Sequence, residues 1–380
     1  MGIGPLGFGM MRLPQRSENP EDIDIGQLKR MVDLFLSRGF TYFDTSYVYH
    51  NGASESAVRK ALVERHDRNS YTLASKFPTF LFPQGEKVGE IFEEQLERCG
   101  VDYFDYYLLH NLNRVVYDRE VVPQQLFLYM KAWKNAGKIR HIGFSFHDDA
   151  EILDRILCEH PEVEFVQIIV NYYDWREPFI QAKKCLEVIQ RHGRKCVVME
   201  PVKGGMLARL PEEAEALLRE AAPDCTPAGQ ALRFAASQDN VLAVLSGMST
   251  YSQVEENTRL MEEFKPMGKL ERLSLSNAKL LLMRHWKYAC EDMKSLDENR
   301  YQVPISAILR AYNSILLQPD PCFAAELNYY KSFRSDYDRA FETGDYSDVT
   351  KKIGGAFDVT AALREAVQFE TEHSFQSYVD

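Results

Sequence analysis

The sequence predicts an α/β fold, a (β/α)8 TIM barrel of parallel strands with a C-terminal helical appendage. Three observations predict it. Short apolar runs recur through the first 265 residues, amphipathic stretches of helical period separate them, and the character of the chain changes near residue 270. The runs are continuously apolar, as strands covered on both faces must be. Eight of them with helical crossovers in roughly 265 residues suit a closed barrel better than an open sheet. An open doubly wound sheet would need a glycine-rich phosphate turn after its first strand. Leu6-Gly-Phe-Gly-Met-Met11 has two glycines there and no third at the required offset.

The elements follow in order. Strands are read at Leu6–Met11, Thr41–Thr45, Tyr71–Lys76, Tyr103–His110, His141–Phe146, Phe165–Tyr172, Cys196–Glu200 and Leu242–Gly247. Helical periods lie at Ile25–Ser37, Ser54–Glu64, Val88–Arg98, Pro123–Asn135, Ala150–Leu157, Pro178–Gln190, Ala228–Ser237 and Tyr251–Met261. Ser54, with an acid close behind it, reads as an N-cap. Gly137 ends the fourth helix, where a left-handed residue is favoured. These elements set a first domain at 1–268. Residues 269–380 are rich in Tyr, Arg, Asp and Ser, with helical periods at Leu270–Met293, Ile305–Leu317, Cys322–Phe333 and Val359–Glu372. The polar segments Ser295–Gln302 and Gly344–Gly355 read as their connections.

Composition narrows the function. Charged residues make up 27% and hydrophobic residues 45% of the 380, an ordinary globular balance. A net charge of -11 with no long basic run argues against nucleic acid as a partner. No apolar stretch approaches the ~20 residues that span a bilayer, and no secretory leader is visible, so no membrane partner is expected. Seven cysteines, an odd number without a CxxC spacing, argue against a disulfide framework or a zinc site and suit a reducing cytoplasm.

Chemistry is expected where strands end, at the C-terminal face of the barrel. Asp44, Lys76 and His110 fall at the ends of the second, third and fourth strands, and Tyr49 lies just after the second. Each alone has a plain structural reading: a surface ion pair for the Asp or Lys, a hydrogen-bonded histidine, one of 20 tyrosines. In order at adjacent strand ends they describe a proton-donating site. A phenol has a pKa near ~10, and a neighbouring ammonium is expected to lower it. The carboxylate would hold the lysine, and the imidazole would orient a substrate oxygen. Such a set protonates a carbonyl oxygen while a bound cofactor supplies the hydride.

The motifs resemble the aldo-keto reductase family across residues 5–265. Leu6–Pro14 looks like its first strand, Gly39–Tyr49 with Ser54-Glu55 like its signature around the acid and the tyrosine, Ala74-Ser-Lys76 like its lysine motif, and Asp105–Asn111 like its histidine motif. Lys138–Ser145 and Val166–Asn171 match the next strands. The resemblance implies Asp44, Tyr49, Lys76 and His110 as catalytic residues, with Tyr49 as general acid. It implies a nicotinamide cofactor, NADP by family default with NAD as the alternative, bound without the Rossmann turn. Gly9 and Met10 would lie beside it, Ser145 and Gln167 would hold its amide, and Met199 stands where an aromatic often covers the ring. Pro201, Val202, Gly204 and Gly205 belong to the segment resembling the loop over the pyrophosphate. Ser246, Gly247, Met248, Ser249, Gln253, Glu256 and Asn257 match the adenosine end. The chain departs from the pattern with His50 where glycine is common after the tyrosine, Phe146 where asparagine is common, and no Arg or Lys near Ser246–Ser249.

Val303–Asn313 and Asp358–Glu370 resemble segments that follow iron–sulfur cysteine runs in a bacterial branch of the family with a ferredoxin-like tail. A cluster needs about four thiolates. Only Cys290 is close before the first segment and none is near the second, so no iron–sulfur cluster and no metal are expected. The expected function is hydride transfer between the cofactor and a small-molecule carbonyl or alcohol. The competing reading is a nucleotide-binding sensor or interaction subunit with little turnover. Phe80, Phe82 and Trp175 are possible pocket walls; substrate and oligomeric state are not legible.

Overall fold

A computed structural model describes residues 4–81, 87–324 and 340–373, together with Leu327, Tyr329 and Tyr337. Eight parallel strands close into a barrel in sequence order: β1 (Leu6–Gly9), β2 (Tyr42–Asp44), β3 (Thr72–Phe77), β4 (Phe104–Leu112), β5 (Ile139–Phe146), β6 (Phe165–Ile169), β7 (Lys195–Met199) and β8 (Val241–Gly247). β1 pairs with both β2 and β8, which closes the ring and leaves no strand edge.

Alternation along the strands sorts the side chains into two layers. Phe8, Phe43, Leu73, Tyr107 and Leu109 point outward and join the large core shared with the surrounding helices. Tyr42, Ala74, Leu108, Phe165, Val197, Ala243 and Leu245 form a separate plug, with Tyr106 and Leu242 against it. Glycine makes room for it: a Cβ on Gly143 would meet the Phe165 ring at 2.5 Å. A second inward layer lies two residues further on, toward the carboxyl ends of the strands. It holds Asp44, Lys76, His110, Ser145 and Gln167.

Several boundaries differ from the expected ones. β4 runs on to Leu112, past His110, through a register irregularity between Leu109 and Leu112, with Asn111 at φ 61°. The second helix is α-helical only over Ala53–Val58 and continues as a π-turn over Arg59–Val63. Ser54 does not cap it. Gly52, at φ 90°, occupies that position, and the buried Ser54 hydroxyl instead bonds Thr45 Oγ1 (2.9 Å) and the Met10 carbonyl (3.2 Å). The helices expected from Pro123 and Pro178 begin later, at Leu126 and Ala182, each after a left-handed glutamine at φ 54°. The Gly137 stop holds, at φ 76°, with its N–H and that of Lys138 bonded back to Lys134 and Trp133. An unforeseen helix, Glu212–Ala221, buries Ala214 and Leu218.

The helix expected over Leu270–Met293 ends at Met283. Beyond it the chain turns so that buried Trp286 donates its indole N–H to the Tyr173 hydroxyl (2.9 Å) and lies under the Arg310 guanidinium. Leu275, Ala278 and Leu282 of this helix pack into the barrel core. The next helices, Ile305–Leu316 and Val359–His373, build a further core. That core includes Ile169, Phe179, Ile180 and Ala182 of the barrel, so this region sits against the loop leaving β6. Glu177 pins it there, accepting from Arg310 Nε (2.7 Å) and Nη2 (2.8 Å) and from Lys279. A short helix, Ser347–Lys352, lies within the segment expected to be a plain connection. Phe82 and most of the expected helix Cys322–Phe333 lie outside the described residues. Among the described residues no helix is long and apolar enough to cross a membrane.

Candidate active site at the carboxyl mouth of the barrel

β2 and β3 bring an acid and a base together because they are neighbours in register, with Asp44 opposite Ala74 and Lys76 two residues beyond. The Lys76 ammonium lies 2.5 Å from Asp44 Oδ1 and 2.8 Å from the Thr45 carbonyl, and donates to the Tyr49 hydroxyl at 3.2 Å. Lys76 is 1% and Asp44 2% exposed, so neither charge could be held without the other. The ammonium also lies 4.6 Å from the centroid of the Tyr49 ring. Tyr49 and His110 meet edge to face at 5.9 Å between ring centroids. The four residues expected to converge therefore do so.

Burial pushes the Lys76 ammonium down, but Asp44 and Tyr49 outweigh it and hold its pKa above the ordinary lysine value. Burial likewise pushes Asp44 up, against the pull of Lys76. The expectation for Tyr49 needs correcting. Lys76 does draw the phenol pKa down, yet burial is the larger effect and leaves it above the ordinary tyrosine value. A phenol so placed keeps its proton at neutral pH. Burial, then Lys76 and His147, drives His110 well below the ordinary histidine range, so its imidazole is neutral.

Sequence reasoning missed the residues that aim His110. Ser46 Oγ lies 3.1 Å from its Nδ1, and Thr79 donates to its carbonyl. Phe80 lies beside it at 5.6 Å, whereas Trp175 packs edge-on against Phe234 of the outer helices. Ser46 stands inside the motif around Asp44, but a serine after a strand carries no signal of its own. His50 explains one departure from the family pattern. Its φ of 54° is the left-handed backbone that glycine adopts freely. Its ring offsets the strain by accepting from Leu13 N–H (3.0 Å) and donating from Nδ1 to the Pro20 carbonyl (2.8 Å).

The expected cofactor residues stand at the ends of β1, β5, β6, β7 and β8 or in the segments that follow β7 and β8. Ser145 stands opposite Gln167 in the β5–β6 register. Both are buried; Ser145 Oγ accepts the Asn111 N–H (2.8 Å) and so retains a hydroxyl proton. Gln167 donates toward Asp44, while among the described residues its buried Oε1 has no partner. An orphaned amide oxygen beside a serine hydroxyl fits a carboxamide. Met199 packs against the C-terminal core. Pro201 and Val202 lead into a turn where Gly204 (φ 60°) and Gly205 (φ 95°) are left-handed, and Glu200 Oε2 accepts the Gly204 N–H (2.5 Å). A Cβ on Gly204 would meet Gln318 Oε1 at 2.7 Å, so this turn touches the C-terminal region. On the far side, Gly9 and Met10 lead out of β1 beside Ser246, Gly247 and Met248 at the end of β8. Asn257 Nδ2 donates to Ser246 Oγ (3.1 Å), and Glu256 accepts from Thr226 (2.5 Å). Gln253 completes a capping box with Thr250 at the start of the helix Tyr251–Glu262 and accepts the Ser249 N–H (2.8 Å).

A closed parallel barrel with ionisable groups gathered at its carboxyl mouth marks a large class of α/β proteins, and sequence comparison selects within it. The profile of the Aldo/keto reductase family matches residues 5–274, and the chain belongs to that family. It is similar to L-galactose dehydrogenase of Arabidopsis thaliana, 26% identical over 300 residues that cover 74% of this chain and 89% of that one. Among solved structures it resembles the holo form of aldo-keto reductase AKR11C1 from Bacillus halodurans, with 27% identity, a TM-score of 0.57 and coverage of 73% and 92%. An aldo-keto reductase from Klebsiella pneumoniae, solved in complex with NADPH, shares the fold at a TM-score of 0.58 and 21% identity, covering 72% of this chain and 90% of that one.

Proposed function

We propose that the protein is an NAD(P)H-dependent oxidoreductase that reduces a small carbonyl compound, or oxidises the alcohol, with Tyr49 as the proton donor. One observation carries this reading: a buried, carboxylate-held ammonium donates to the hydroxyl of a phenol that keeps its proton. The cofactor supplies the hydride when bound. Tyr49 gives its proton to the substrate oxygen, and Lys76 stabilises the phenolate that remains. Asp44 keeps Lys76 charged and in place. Neutral His110, with Nδ1 engaged by Ser46, has Nε2 left to hold the substrate oxygen. Ser145 and the free Oε1 of Gln167 hold the nicotinamide amide. A sensor without turnover would have no use for this proton donor.

NADPH complexes among structures of the same fold and membership of the family support a nicotinamide nucleotide as the partner. The test is Tyr49→Phe. Cofactor titration should give parent affinity, while aldehyde reduction should fall by about 10²- to 10⁴-fold. Reduction at the parent rate would remove Tyr49 from the mechanism.

A further inference from the structure

We propose that Arg12 grips the pyrophosphate common to NADH and NADPH; this rests on the nicotinamide reading above. The resemblance implies no role for Arg12, and the segment Ser246–Ser249 itself carries no Arg or Lys. Arg12 ends the short turn Met10–Arg12 that leaves β1 at the carboxyl mouth. Its backbone neighbourhood is fixed on two sides. Ser249 Oγ donates to its carbonyl (2.8 Å), and the next N–H, of Leu13, is held by His50 Nε2.

The side chain is half-buried, yet among the described residues its guanidinium has no hydrogen bond and no ion pair. Lys203, the cation within the glycine turn, is spent: its ammonium lies 2.8 and 2.7 Å from the two oxygens of Asp174. The stem of Arg12 crosses Gly247, where an added Cβ would stand 3.4 Å from Arg12 Cβ and Cδ. Its head ends beside Gly204, where an added Cβ would stand 3.9 Å from Nη2. Arg12 thus bridges the end of β8 and the turn 203–208, with a glycine at each end of its path. These are the two segments between which the dinucleotide phosphates would run. A guanidinium presents paired donors that match phosphate oxygens, and here it breaks no existing bond to do so. The head ends at the glycine turn and not at the start of Tyr251–Glu262. That placement favours the pyrophosphate over the adenosine 2′-phosphate.

The experiment measures equilibrium binding of NADPH and NADH to the full chain without substrate, by fluorescence titration, in the parent, Arg12→Gln and Arg12→Lys. Because the guanidinium holds nothing else in place, the unliganded melting temperature should not change. Arg12→Gln should weaken both nucleotides about equally, by about 10- to 100-fold. Arg12→Lys should fall between, since a point charge lacks the paired geometry. The inference is overturned if Arg12→Gln binds both as tightly as the parent does, or if it loses affinity for NADPH alone. Parent protein that binds neither nucleotide would overturn the proposed function first, and this inference with it.

Discussion

Replacing Glu55 by glutamine should change how stability depends on pH, by an amount the structure sets. Glu55 follows Ser54 in the second helix, yet its carboxyl is wholly buried behind β3. Ser75 Oγ and Gln95 Nε2 each donate to its Oε1 at 2.7 Å. Among the described residues its Oε2 has no hydrogen bond, and it lies 3.9 Å from Arg98 Nη1. Burial, opposed by Ser75, Gln95 and Arg98, pushes its pKa from the ordinary 4.5 up to about 7. The folded state therefore holds this proton after the unfolded chain has released it. The resulting stability is fully present below the unfolded pKa and is lost as pH rises through the folded one. At 1.36 kcal/mol per unit, this amounts to roughly 2.5 kcal/mol lost between about pH 5 and about pH 8. Glutamine keeps the acceptor oxygen and cannot ionise. Urea unfolding of parent and Glu55→Gln at both pH values isolates the effect, because every other titrating group is shared. The stability difference should move in favour of Glu55→Gln by that amount on going to the higher pH. A difference that stays constant would mean that Glu55 titrates alike in both states, and the linkage argument would fail.

Two further outcomes follow from the ion pairs. Lys76→Met should destabilise the fold by about 3–5 kcal/mol by leaving the Asp44 carboxylate buried without an opposite charge, and the double variant with Asp44→Asn should cost far less than the two single losses added together, in the same denaturation assay. Glu177→Gln removes the charge that faces Arg310 and Lys279, so limited proteolysis should cleave the C-terminal region faster while the barrel survives; an unchanged cleavage rate would show that apolar packing alone holds it.

The barrel was legible because its strands are buried on both faces and announce themselves as unbroken apolar runs. The four side chains gathered at the mouth were legible because each ends or follows such a run. Boundaries were less so. The helices after Pro123 and Pro178 start late because a left-handed glutamine precedes each, and glutamine carries no local preference for that backbone. Glu212–Ala221 was missed although its first turn carries three acids and Arg219 lies in its last, a pattern that suits a helix dipole.

Sequence by itself determined the eight strands alternating with helices, the placement of Asp44, Lys76 and His110 at neighbouring strand ends, and the family, since these depend on local periodicity and on motifs read along the chain. Only the tertiary structure decided the balance at Tyr49, where burial outweighs a neighbouring ammonium, and the turning of Ser54 from helix cap to buried link between β1 and β2. It alone set Arg12 against Gly204 and Gly247, far away in the chain. Desolvation and long-range contact are properties of closed packing, and a linear sequence carries neither until the barrel shuts.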